Sequence, residues 1–137
     1  MTRRSLSLAL LLILLGGCTY YPTIRDTGSP RIETRNGRLV RVDGGAICYM
    51  EIANTGKFED TLIAAESRSA RRVEIVAGRG QPAALIKVLP ETRLTFDADG
   101  FRIVLSELTQ PMVPGDGVIV TLIFEKSGRI GVVSVVE

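Results

Sequence analysis

Residues 46–53 alternate strictly, with Cys48, Met50 and Ile52 on one side and Tyr49 and Glu51 on the other. A period of two commits a segment to a half-buried strand. Further short β-branched runs follow at residues 72–76, 83–88, 92–97, 101–108, 118–125 and 130–136, each bounded by Gly, Pro, Asn or Asp. Evenly spaced runs of this kind predict an all-β fold, a small Greek-key β-barrel or sandwich. Earlier in the chain, residues 31–35 and 38–42 flank Asn36-Gly37. That pair accepts positive φ angles, so a tight hairpin is expected there. Residues 60–70 are the one stretch whose Ala content admits a helical turn. Cys48 is expected to point into the core as a small hydrophobe.

The first seventeen residues belong to a different regime. Arg3 and Arg4 precede a Leu- and Ile-rich run that ends at Gly16-Gly17-Cys18. A basic start, a short apolar stretch and small residues make a secretory signal. Leu15-Gly16-Gly17-Cys18 resembles the lipobox of bacterial lipoproteins, in which the signal is cut before the Cys and the thiol carries a diacylglycerol. An ordinary signal peptide or an uncleaved anchor is the alternative, although residues 5–17 fall short of the roughly 20 apolar residues that span a bilayer. The expected organisation is therefore a lipoprotein signal peptide at 1–17, a lipidated Cys18 with a tether to residue 29, and one β-domain over 30–137. The tether reading rests on a polar segment broken by Pro22 and Gly28.

Removing the signal changes the charge argument. Of 17 Lys and Arg, two lie in the signal, which leaves as many basic as acidic residues (15 Asp and Glu) in the mature chain. A formally neutral chain implies no basic face for nucleic acid or anionic lipid. With Cys18 lipidated, Cys48 has no internal disulfide partner.

Catalytic chemistry is sparse. The chain has no His, which removes the commonest general base and a leading metal ligand together. Gly78-Arg79-Gly80 and Gly115-Asp116-Gly117 look superficially phosphate-binding, yet neither opens a helix, and both are read as turns. The carboxylate pairs Glu59-Asp60 and Asp97 with Asp99 fall in expected loops, where solvated charges are the default. No enzyme, and no cofactor, is expected.

One resemblance is specific. Residues 45–56 (GAICYMEIANTG), 62–67 (LIAAES), 72–75 (RVEI), 100–108 (GFRIVLSEL), 110–116 (QPMVPGD) and 122–128 (LIFEKSG) follow the order of elements in the PCu(A)C family of periplasmic copper chaperones. The chain is similar to that family over most of residues 44–137, and the resemblance implies a cupredoxin-like Greek-key barrel. Family members bind copper through a His, a Met about ten residues on, and a later His-x-Met pair. Thioether and imidazole suit Cu(I). Here Val76 stands where the resemblance places the first His, and Arg102 and Val104 stand at His-x-Met. The segment of the intervening Met is shortened and holds none. Only Met1, Met50 and Met112 occur, with Met50 and Met112 expected in the core. Val has no donor atom and Arg no lone pair to give, so these are vestigial ligand positions and no bound metal is expected.

Arg102 has two readings. It presents a cationic spot, with Arg71, Arg72 and Arg79, to an acidic partner or anion, or it is a solvated Arg paired with Glu74 or Glu107. The function expected is that of a non-catalytic envelope lipoprotein, a binding or accessory module held to the membrane by lipid at Cys18, with an unidentified envelope protein as partner. Thr19 after the lipidated Cys favours the outer membrane over the inner. The alternative is a periplasmic copper-handling protein whose site is non-standard or shared with another chain.

Overall fold

The computed structural model describes residues 29–83 and 85–137; the signal peptide, Cys18 and nearly all of the tether lie outside the described residues. Among the described residues nine strands run in order: β1 (Ile32–Val42), β2 (Gly45–Asn54), β3 (Asp60–Glu66), β4 (Ala70–Val76), β5 (Ile86–Val88), β6 (Thr92–Phe96), β7 (Arg102–Leu108), β8 (Gly117–Phe124) and β9 (Gly128–Val136). They form one curled sheet in the order β4-β7-β2-β1-β9-β8-β3-β5, with β6 on β2 beside β7. Every pairing is antiparallel except β1 with β9. The all-β, cupredoxin-like expectation holds, but the sheet is a half-barrel rather than a closed one. Among the described residues no ladder joins the edge strands β4 and β5. The edge of β4 meets instead the segment before β5, through a single bridge between Val76 and Pro82. Proline has no N–H to extend a ladder there.

The alternation of β2 is realised as expected: Cys48, Met50, Ile52 and Asn54 are buried while Ile47, Tyr49, Glu51 and Ala53 are half-buried. The inward row packs against Phe96, Ile103 and Leu105 from the same side, and against Leu62, Val120, Leu122 and Val136 from the other half of the curl. Each such large aliphatic side chain contributes about 1.5–3 kcal/mol by leaving water. Met112 is also buried.

Two local expectations are overturned. Asn36-Gly37 is not a hairpin turn. Residues 32–42 form one continuous strand, and Asn36-Gly37 is a bulge in it, between the pairs Arg35 with Glu51 and Arg38 with Tyr49. Asn36 has the positive φ (54°) that its sequence signalled. Gly37 is needed for a different reason: a Cβ there would lie 2.9 Å from both Ser134 Oγ and the Val133 carbonyl of β9. The hairpin turn is Asp43-Gly44, with Gly44 at φ 80° between the paired Val42 and Gly45. Residues 60–70 contain no helical turn. Residues 60–66 are β3, held between β8 and β5, so pairing on both edges outweighs the modest helical preference of Ala. The run expected at 83–88 narrows to Ile86–Val88.

Candidate functional site

The three positions singled out by the resemblance lie on β4 and β7. These strands pair with Val76 opposite Arg102, Ile75 opposite Ile103 and Glu74 opposite Val104. Ile75 and Ile103 point into the core. By alternation, Val76, Arg102 and Val104 therefore share the outer face. Val104 is flanked on its other side by Ile47 of β2. Val76 is nonetheless buried, covered where the chain folds back at Pro82, and there Ala83 donates its N–H to the Ile75 carbonyl.

The Arg102 side chain does not pair with Glu74 or Glu107. Its Nη1 donates to the Ala98 carbonyl at 3.1 Å, and among the described residues no carboxylate stands within ion-pair distance of it. Glu74 is taken by Arg72, whose Nη2 and Nε lie 2.7 and 3.0 Å from the same carboxylate oxygen. That carboxylate raises the Arg72 guanidinium further above its ordinary value, by hydrogen bond and then by charge. The three positions thus offer a copper ion two aliphatic side chains and a permanent cation. Neither class supplies a lone pair, and the set does not fit the metal. Among the described residues, no group of three or more His, Cys, Asp or Glu converges as a metal would require.

The sulfur-bearing side chains among the described residues are buried in the core. Met50 and Cys48 face inward on β2, and the Cys48 Sγ lies 3.4 Å from Ser134 Oγ on β9. Burial pushes the Cys48 thiol up to about 11, against the opposing effect of the Ser134 hydrogen bond. Met112 lies in a shallow depression with Arg41, Gly45 and Leu108.

One carboxylate matters more than its sequence context signals. Asp60, expected as a solvated loop carboxylate, is fully buried at the start of β3. Its Oδ1 accepts the N–H groups of Thr61 (2.8 Å) and Lys126 (2.9 Å), and its Oδ2 accepts the N–H and hydroxyl of Ser127. Burial pushes this carboxyl up, but the hydrogen bonds from Ser127, Lys126 and Thr61 outweigh it and leave the pKa below 3.8. Asp60 therefore clamps the β8–β9 turn and has no spare lone pair for catalysis. Buried Asn54 closes an Asx turn onto Gly56, a pattern that Asn-Thr-Gly does signal. Asp97 accepts from the N–H groups of Asp99 and Gly100, so that pair is also a turn rather than an acid and base.

Similarity to known proteins agrees with this architecture. The copper-bound PCuAC domain from PmoF2 superposes with a TM-score of 0.70 at 25% identity, covering 80% of this chain and 94% of that one. The apo PCuAC domain from PmoF1 gives 0.72 at 23% identity, with 80% and 95% covered. The Cu(I) form of DR1885 from Deinococcus radiodurans gives 0.62 at 19%, with 89% and 83% covered, and supports the fold alone. No curated protein matches the chain. The sequence model described as "Putative lipoprotein LpqE-like" matches residues 32–136, and the chain belongs to that LpqE-like family.

Proposed function

We propose that this chain is a non-catalytic lipoprotein of the bacterial envelope, cleaved after residue 17 and lipidated at Cys18, whose PCuAC-like domain over residues 30–137 has lost the metal site of its scaffold. Membership of a lipoprotein family and the copper-chaperone-like fold support an envelope location and a copper-handling ancestry. The observation that carries the loss is the pairing of Val76 with Arg102: a buried aliphatic and a guanidinium face each other where the resemblance implies soft ligands. A fixed positive charge repels Cu(I) as well as failing to bind it. The domain then acts as a binding or accessory module, with another envelope protein as its partner and no role for nucleic acid, and Thr19 favours outer over inner membrane.

A second reading keeps copper, through a non-standard or shared site. The 25% identity to a copper-bound domain favours it. One experiment separates the two. The mature protein is titrated against a Cu(I) chelator, and its intact mass is measured. Our reading expects an intact mass that begins at Cys18 and includes the acyl chains, with no copper withdrawn from the chelator; stoichiometric withdrawal establishes the second reading instead.

A further inference from the structure

The described chain begins at one end of the half-barrel, and that end is unusually organised. Asn54, at the end of β2, is 1% exposed and uses its whole amide. Its Oδ1 accepts the N–H of Arg31 (3.2 Å) and of Gly56 (3.0 Å), while its Nδ2 donates to the carbonyls of Phe58 (2.7 Å) and Val88 (3.2 Å). Thr55 also donates its N–H to the Arg31 carbonyl at 2.9 Å. One buried side chain thus ties the entry of the chain to the β2–β3 loop and to the exit of β5. The next carbonyl after Val88, that of Leu89, is held by the Thr92 hydroxyl at 2.6 Å. With their backbones fixed in this way, Phe58 and Leu89 leave their side chains 50% and 51% exposed.

We propose that this end docks on the membrane surface, with Phe58 and Leu89 entering the headgroup and acyl boundary. The proposal rests on the lipid anchor at Cys18. Residues 19–28 separate that Cys from the described chain and reach at most about 35 Å when fully extended. The tether enters the domain at Ser29–Arg31, and the two apolar side chains stand on the loops bonded to that entry. Charge at this end is mixed rather than of one sign, with Arg31, Lys57 and Lys126 standing among Glu59, Glu91 and Glu125. The contact is therefore apolar, and a zwitterionic bilayer suffices.

The chain has no Trp, so a single Phe58→Trp substitution makes the site its own reporter. Lipidated full-length mature protein is reconstituted into phosphatidylcholine vesicles, floated on a density gradient, and its fluorescence compared with and without brominated acyl chains. Leu89→Trp is the second site, and Val133→Trp, on the outer face of β9 and 63% exposed, is the comparison. Floating protein with blue-shifted, bromine-quenched emission at 58 and 89 and unquenched emission at 133 is the expected result. Floating protein with unquenched emission at 58 and 89 overturns the docking while leaving the anchor intact. Quenching at 133 in place of 58 overturns it in favour of the β8–β9 face. A concentration-dependent blue shift at 58 without quenching overturns it in favour of a second copy of the chain. Failure to float overturns the anchor and the docking together.

Discussion

The Cys48 Sγ of β2 lies 3.4 Å from the Ser134 Oγ of β9, two small polar groups enclosed where the halves of the curl meet. The bulge at Asn36-Gly37 in the strand between them brings β9 this close, because Gly37 has no Cβ to meet Ser134. The pair satisfies both groups in an interior that water does not reach, and that fixes the chemistry of the thiol.

With its pKa raised to about 11, Cys48 is almost wholly protonated at neutral pH, and the thiolate is the reactive form. A water-soluble disulfide reagent should label it only on unfolding, and rapid native labelling would contradict the burial. Stability should also respond at high pH. The folded chain keeps a proton that the unfolded chain loses, so this contribution falls as pH rises from 9.0 towards about 11. Comparing urea midpoints of the parent and Cys48→Ala across that range isolates it: the parent should lose stability more steeply.

Asp60 gives the opposite sign. Its folded pKa is lowered from 3.8, so the carboxylate stabilises the fold above that value and the contribution is lost as pH falls through the folded pKa. Asp60→Asn replaces one acceptor oxygen by a donor facing N–H groups. It should destabilise by about 2–3 kcal/mol at pH 7 and show a flatter acid limb than the parent in urea titrations. An unchanged midpoint would mean that the turn after β8 holds without the clamp.

Gly45 and Gly44 predict a contrast. A Cβ on Gly45 would lie 1.9 Å from the Leu105 carbonyl oxygen, where β2 and β7 backbones approach, whereas one on Gly44 meets nothing within 4 Å. Gly45→Ala should therefore cost about 3 kcal/mol, and Gly44→Ala only about 1–2 kcal/mol from its φ of 80°. Thermal unfolding of the two variants would test the order; equal shifts would place the close approach in doubt.

These contrasts show why some of the fold was legible and some was not. The alternation of Cys48, Met50 and Ile52 is local, and one strand's worth of residues reports which face is buried. Asn36-Gly37 also announced its backbone angle, but a turn and a bulge use the same angle. What separates them is whether residues 32–42 pair with themselves or with β2, which lies outside the window. The burial of Asp60 is hidden from local sequence for the same reason: its partners at Lys126 and Ser127 are brought by the β3–β8 ladder, not by neighbours in sequence. At the candidate site the residue types were readable and the register was not. That Arg102 bonds to Ala98, leaving Glu74 to Arg72, depends on side-chain directions that no spacing rule supplies.

Membrane attachment through Cys18 predicts a clean fractionation result. Each buried CH₂ contributes about 0.8 kcal/mol, and two acyl chains give stable anchoring. Cys18→Ser should leave the protein either in the soluble fraction or as an uncleaved precursor, without acyl mass. A variant processed like the parent and retained in membranes would exclude lipidation at this residue.

The last prediction turns the metal-free reading into a gain of function. Val76 and Arg102 are cross-strand partners, and Arg102 and Val104 share one face of β7, so three substitutions bring copper-binding donors together on one face. Val76→His, Arg102→His and Val104→Met remove the cation and add two imidazoles and a thioether, the donor set that Cu(I) prefers. Val76 is buried beneath the Pro82 bridge, so the larger His should cost about 1–3 kcal/mol in stability. Circular dichroism before titration checks that the triple variant retains the parent's β signature. In competition with a Cu(I) chelator, the parent should withdraw no metal and the triple variant should withdraw it measurably. Restoring Arg at 102 alone should abolish the gain, because the charge returns to the middle of the set. Tight binding by the parent would mean that this chain uses Cys48, Met50 or Met112 as ligands despite their burial. A folded triple variant without affinity would mean that these three positions do not correspond to the metal site of the scaffold.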